Sequence, residues 1–255
     1  MTLTPTVNHS PPPQIDRVRH VLARRTLSVV AIAHVTPAML RITLAGDEIA
    51  GFSSLSPDDH VKIIFSAEAD REERRDYTPR RFDAETGRLD IDFAVHDAGP
   101  ATRWAVNARV GDALRIGGPR GSAVISPEVK RWLLIGDETA LPAIGRRIEE
   151  AAGDYVITSL VAVANPREKQ SFETQASLRD LWAFRPLSAA NDPAPLLDLL
   201  ETITIEPDTF VWIAAEASVT RALRGEVERR GLPQGWLRAA GYWVMGKADA
   251  QEKFD

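Results

Sequence analysis

The hydrophobic period of this chain changes once, near residues 124–128, and that change limits the fold more than any other feature. From Arg17 to about Val124 the sequence runs in short β-rich segments separated by turn signals. Residues 26–35, 39–45, 59–65, 76–82 and 88–96 each suit a strand. Leu89, Ile91, Phe93 and Val95 alternate with Asp90, Asp92 and Ala94, as a strand with one buried face requires. Several short strands at this spacing predict a closed antiparallel barrel or a sandwich.

Beyond about Pro127 the period becomes that of alternating strands and helices. Residues 131–135 read as a buried strand, broken by the turn Gly136-Asp137-Glu138-Thr139. Over 140–152, Leu141, Ile144 and Ile148 share one helical face, with Arg146, Arg147, Glu149 and Glu150 mostly opposite. Strands are expected at 154–164, 210–215 and 237–245, and helices at 195–202 and 218–230, the last ended by Gly231 and Pro233. Such alternation implies a parallel sheet covered by helices. The expected organisation is therefore a tail over 1–14, disordered to about Gln14, an antiparallel barrel domain over 15–126 and an α/β domain over 127–255.

Composition narrows the chemistry. The chain has no cysteine, which removes disulfides, thiolate metal sites and thiol catalysis. Its five histidines fall at no metal-ligand spacing, and HExxH, GxSxG and the GxxxxGK[ST] phosphate loop are absent. No metal ligand set and no catalytic side chain are assigned, so redox chemistry here would need an organic cofactor. A formal net charge of −5 argues against nucleic acid or an anionic membrane as partner. No stretch approaches the roughly 18 apolar residues of a membrane span. With no signal-peptide pattern in MTLTPTVNHSPPPQ, the expectation is a cytoplasmic monomer.

Three segments carry candidate chemistry. In Arg75-Asp76-Tyr77-Thr78-Pro79-Arg80-Arg81, a strand places Arg75 and Tyr77 on one face and Thr78 on the other. An Arg fork suits a phosphate and a Tyr ring suits a planar heterocycle. The same residues also suit an exposed basic strand end with one surface Tyr. In the second segment, His96 to Trp104, a strand end passes through Gly99-Pro100 into a helix start, where backbone N–H groups can receive a diphosphate. The third, Gly117-Gly118-Pro119-Arg120-Gly121-Ser122, is a tight glycine turn.

The order and spacing of these segments resemble the ferredoxin-reductase-like flavoprotein superfamily. More narrowly, RDYTPRRFD, LDIDFAVHDAGPATRW, GDALRIGGPRGS, LLIGDETALPAIGRRIE, FVWIAAEAS and GYWVMG look like the siderophore-interacting protein family, LIGDETALPAI most specifically. The resemblance spans about Arg17 to Lys247. It implies an FAD-binding barrel and a nicotinamide-type α/β domain. The implied FAD contacts are Arg75 on the diphosphate, Tyr77 on the isoalloxazine and Thr78 near N5, with Phe93, Val95, His96, Gly99, Pro100, Ala101, Thr102, Gly121, Ser122, Asp137, Thr139 and Ala140. Glu138 stands with the last three as a candidate nicotinamide or flavin contact. Lys62, Arg120 and Lys247 match a basic cluster that holds an anionic iron chelate. Val244 departs from the family pattern, which has a basic residue after Tyr-Trp.

The implied activity is FAD-dependent reduction of ferric siderophores to release Fe(II), with electrons from NAD(P)H or a ferredoxin-like protein. A flavin takes two electrons from a nicotinamide and passes them singly to Fe(III), whose hard oxygen ligands hold Fe(II) less tightly. Arg167 and Lys169 suit a 2′-phosphate or are plain loop charges. Two other readings stay open: a reductase with a non-siderophore acceptor, and a carrier that binds ferric siderophore without redox chemistry.

Overall fold

A computed structural model describes residues 10–65, 73–96, 99–247 and 250–254. Ten elements make the first half. They are β1 (Ile15–Arg19), β2 (Arg24–Thr36), β3 (Met39–Ala45), β4 (Val61–Ile64), β5 (Arg74–Tyr77), β6 (Pro79–Asp83), β7 (Arg88–Ala94), α1 (Pro100–Asn107), β8 (Ala113–Gly117) and β9 (Gly121–Ile125). Seven of these strands form one antiparallel sheet in the order β5-β4-β8-β2-β3-β7-β6, while β1 pairs with β9 alone. The alternation of apolar residues drives the curl. Leu89, Ile91 and Phe93 from β7 meet Leu27, Val29, Ile42, Leu44, Val61, Ile63 and Ile116 in one buried cluster.

This sheet differs from the expected closed barrel. Its edge strands β5 and β6 follow each other in sequence through Thr78, yet no ladder joins them. Pro79 has no N–H to donate, which favours an edge at this point. The result is a half-barrel whose open seam lies at the segment expected to carry the cofactor.

The second half contains β10 (Arg131–Asp137), α2 (Leu141–Glu149), β11 (Val156–Val163), β12 (Ser177–Phe184), α3 (Ala194–Glu201), β13 (Thr209–Glu216), α4 (Ala217–Arg229), β14 (Leu237–Trp243) and β15 (Glu252–Lys253). The sheet order is β12-β11-β10-β13-β14-β15, parallel except for the β14–β15 pair. β13 is buried at every position, as a central parallel strand covered on both faces must be. Gly136 is required in β10: a Cβ there would stand 2.6 Å from Ala140 Cβ and 2.8 Å from the Ala214 carbonyl. That close approach lets the chain turn sharply into α2.

The segment expected to be a disordered tail is also different where it is described. The Ser10 backbone N–H donates to Asp208 at 2.8 Å, Trp236 Nε1 donates to the Ser10 carbonyl at 3.1 Å, and Pro12 packs over Gly235. These contacts compensate the proline-rich composition and hold Ser10 and Pro12 against the second half. Residues 1–9 fall outside the described residues.

Side chains from α2 bolt the halves together. Arg146 donates to Ser54 Oγ at 2.7 Å, to the Ser54 carbonyl at 2.8 Å and to the Pro79 carbonyl at 3.2 Å. Arg80 reaches back to α2 from β6. Gly145 makes room for it, since a Cβ there would lie 3.0 Å from Arg80 Nη2 and 2.7 Å from the Phe172 ring.

Candidate functional site

The seam between β5 and β6 is lined by aromatic rings. Tyr77 packs against Phe93 with centroids 4.5 Å apart, and Phe93 against Trp104 at 5.7 Å. Burial pushes the Tyr77 phenol well above its ordinary range, so it stays neutral and offers an uncharged ring. Arg75 shares the face of Tyr77, because Ile63 and Val61 are their direct partners on β4. Its Nη1 donates to the Arg74 carbonyl at 2.7 Å. Thr78, between the two strands, is buried.

Across the seam, β7 ends at Ala94, and Val95 is tied down by its N–H to the Ala38 carbonyl at 2.8 Å. His96 is exposed. The chain then enters α1 with Gly99 at the cap position, Pro100 in the first turn and no acidic residue in that turn. Gly99 has no side chain with which to cap the helix, and the buried Ala101 and Thr102 follow it. Asp97 and Ala98, part of the expected phosphate loop, lie outside the described residues.

The glycine turn plays a different part from the one expected. A Cβ on Gly121 would stand 2.4 Å from the Val18 carbonyl, so this glycine lets β1 approach β9. The buried Ser122 hydroxyl donates to Asp59 Oδ2 at 2.5 Å, meets His20 Nε2 at 2.7 Å and accepts from the Leu55 N–H at 3.1 Å. Its bonding capacity is used inside the fold, and a cofactor contact through that hydroxyl is not supported. Lys62 is likewise drawn elsewhere. It pairs with Asp76 at 2.7 Å, and its register partners Asp76 and Gly117 put it on the face opposite Tyr77. Arg120 is exposed beside this turn.

The second half presents the C-terminal ends of its strands, where open α/β sheets take ligands. Asp137, expected to touch a cofactor, is instead saturated by the protein. Oδ1 accepts from the Thr139 N–H at 2.9 Å and the Thr139 hydroxyl at 2.6 Å, and Oδ2 from the Glu216 N–H and Trp243 Nε1, each at 2.9 Å. Ala140 is fully buried at the start of α2. Burial alone would raise the Glu216 carboxyl. Hydrogen bonds from Ser218, the Met245 N–H and the Val219 N–H outweigh this and hold it below its ordinary range. Asp137 and Glu216 therefore fix the segment from Trp243 to Met245, beyond which Lys247 is exposed and Val244 bridges to it.

The two halves meet at His96 and Trp243, whose rings are nearly parallel at 14° with centroids 6.5 Å apart. Beside them is a small pocket of about 20 Å³ between Met39, Val95 and His96 on one side and Glu138, Leu141 and Val163 on the other. The Glu138 carboxyl is pushed up to about 7, by burial first and the neighbouring Asp137 second, against the pull of Arg185.

The residues present fit an FAD-type cofactor: a neutral Tyr77 ring, a guanidinium on the same face at Arg75, and a helix start without acidic residues at Gly99–Thr102, whereas Phe93, expected as a contact, is fully buried in the core behind Tyr77. Sequence reasoning missed Arg80, Arg146, Glu168, Arg185 and Trp243. Gly145 inside a helical pattern was a visible signal of close packing, whereas nothing local marks the partners of the others.

Residues 28–74 and 66–123 match the model of the siderophore-interacting FAD-binding domain, and residues 129–246 match that of the siderophore-interacting protein family. The chain is 32% identical over 247 residues to the NADPH-dependent ferric-chelate reductase of Escherichia coli (strain K12), covering 89% of this chain and 96% of that one. It is 30% identical over 247 residues to the ferric vibriobactin reductase ViuB of Vibrio cholerae, with 88% and 90% covered. A siderophore utilization protein from T. fusca superposes with a TM-score of 0.85 at 36% identity, over 93% of this chain and 98% of that one. The chain belongs to the siderophore-interacting protein family and carries its FAD-binding domain.

Proposed function

We propose that this member of the siderophore-interacting protein family is an FAD-dependent reductase of ferric siderophores, with a nicotinamide dinucleotide as electron donor. The observation that carries the reading is the half-barrel seam. It brings together a neutral Tyr77 ring and the Arg75 guanidinium on one strand face, with a helix start free of acidic residues after β7. The relatives named for ferric-chelate and ferric-vibriobactin reduction align along nearly their whole length, which supports the same activity here.

A bound flavin would supply the conversion of a two-electron donation into single electrons for Fe(III). The chain's own residues would bind and orient. Arg75 would pair with the diphosphate and the first turn of α1 would add backbone donors. Tyr77, backed by the buried Phe93, would wall one face of the ring system and exclude water from it. Arg120 and Lys247 remain candidates to attract an anionic chelate, while Lys62 is the weakest of the three because Asp76 neutralises it. No side chain need move a proton for iron to be reduced, since the transfer is of electrons and release follows from the weaker hold of the same ligands on Fe(II).

The test is turnover with a panel of ferric chelates under a Fe(II)-trapping dye. Fe(II) formation that requires FAD and a nicotinamide donor supports the reading. Donor oxidation without Fe(II) from any chelate points to a different acceptor.

A further inference from the structure

The buried Ser122 hydroxyl draws two loops to one end of the half-barrel, accepting from the Leu55 N–H and meeting His20 Nε2. Backbone bonds fix the loop between β1 and β2 a second time. The His20 N–H donates to the Arg120 carbonyl and the Gly118 N–H to the Ala23 carbonyl, each at 3.0 Å. The tip held in this way presents aliphatic side chains to solvent. Val21 is 89% exposed and Leu22 65%, while Leu55 on the neighbouring loop is 52% exposed. Among the described residues no large apolar side chain is more exposed than Val21. Nothing in the reduction mechanism uses this tip.

The charge around the tip is mainly positive. Residues 15–25 contain four arginines and one aspartate, and Arg19, Arg24 and Arg120 are exposed next to the tip. The formal net charge of −5 disfavours an anionic membrane for the molecule as a whole. A surface contact is nevertheless decided within a Debye length of about 8–10 Å, where the arginines prevail. Shape then separates the occupants. A protein partner covers on the order of 800 Å² on each side, whereas side chains that stand nearly clear of the fold form a point that a fluid lipid layer can close around. Aliphatic residues flanked by arginines lodge at the headgroup boundary of an anionic bilayer. We propose that the β1–β2 tip docks this protein on an anionic lipid surface, with Val21 and Leu22 entering the headgroup–acyl boundary and the flanking arginines meeting lipid phosphates. The contact does not depend on the reductase reading. Under that reading it brings Arg120, a candidate for the anionic chelate, to the bilayer surface.

The experiment is co-sedimentation of the full chain with vesicles, without turnover. The vesicles are phosphatidylcholine alone or equal parts of phosphatidylcholine and phosphatidylglycerol. Wild type is compared with the double variants Val21→Ser/Leu22→Ser and Arg19→Gln/Arg24→Gln, whose thermal unfolding should match wild type because all four side chains are exposed. Wild type is expected to bind the anionic vesicles and to bind neutral ones far less. The partition coefficient should fall about tenfold or more on loss of the two aliphatic side chains. Loss of the two arginines should likewise cost about tenfold or more. Equal binding to both vesicle types, equal binding by all three proteins, or no binding by wild type overturns the proposal. Self-association that the serine variant abolishes, with no vesicle binding, overturns it in favour of a second copy. Binding to an acidic ferredoxin in place of vesicles, weakened by the same substitutions, overturns it in favour of a protein electron carrier.

Discussion

Arg80 and Glu149 are joined by two parallel hydrogen bonds across the junction of the halves, Nη1 to Oε2 at 2.7 Å and Nη2 to Oε1 at 2.6 Å. The Arg80 side chain is 4% exposed and Glu149 is 32% exposed, while Arg80 Nε lies 3.7 Å from Asp92 and makes no hydrogen bond. A planar fork is what such a bidentate contact needs. Because Arg80 follows Tyr77 and Thr78 so closely, this pair sets where the aromatic wall sits relative to α2.

Arg80→Lys should therefore destabilise the fold by about 1–3 kcal/mol, since one point charge cannot replace the fork and Glu149 is partly screened by solvent. Urea unfolding measures this. A change within 0.5 kcal/mol, on the order of a neutral surface substitution, would mean the contact is not formed in solution.

Asp137 gathers a turn, a helix start and a strand end on two oxygens. Asp137→Asn keeps its shape but turns one acceptor into a donor facing Trp243 Nε1 and the Glu216 N–H, or facing Thr139. The expected cost is about 2–3 kcal/mol, with a shift in tryptophan emission as the Trp243 indole loses its partner. Unaltered stability and emission would show that Asp137 does not hold this segment.

Glu138 carries a pH signature. Its folded-state value of about 7 lies above the ordinary 4.5. The folded state thus holds the proton more tightly than the unfolded one, and this stabilising contribution is fully present below about pH 4.5. It is lost as pH rises through about 7, and the total is on the order of 1–3 kcal/mol. Wild type should lose stability relative to Glu138→Gln between pH 5 and pH 8. A difference between the two proteins that does not vary with pH would contradict the shift.

At the end of β11, Glu168 turns inward and accepts from the Thr36 hydroxyl at 2.6 Å and the Ala38 N–H at 3.0 Å, leaving Arg167 and Lys169 exposed on either side. Glu168 is thus engaged inside the fold, and the two exposed charges beside it have the sign that a 2′-phosphate takes. Replacing both with alanine should raise the KM for NADPH by about tenfold, on the order of one lost charged contact, and leave that for NADH unchanged. Equal effects on both donors would make them loop charges only.

Much of the fold was legible because period and burial agree. Met39–Ala45 is recovered at its ends, and β7, α2, α3, α4, β10, β11, β13 and β14 differ from expectation by a few residues. β8, β9 and β12 were not legible. ALRIG and GSAVI are five-residue runs flanked by glycine, and SLRDLWAF is an edge strand whose Arg179 and Asp180 face solvent. Within the candidate site, the shared face of Arg75 and Tyr77 and the helix start after Gly99 could be read from local pattern. The engagement of Ser122 and Asp137 inside the protein could not, since Ser122 finds Asp59 63 residues away and Asp137 finds Trp243 106 residues away.

The most direct measurement is the visible absorption of the purified protein supplied with FAD, followed anaerobically through addition of NADPH and then of a ferric catecholate. Retained flavin bands that bleach with NADPH and return on adding the chelate, as Fe(II) appears, are the predicted result. A protein that takes up no FAD, or flavin bands that stay bleached when the chelate is added, would contradict ferric-siderophore reduction at this site.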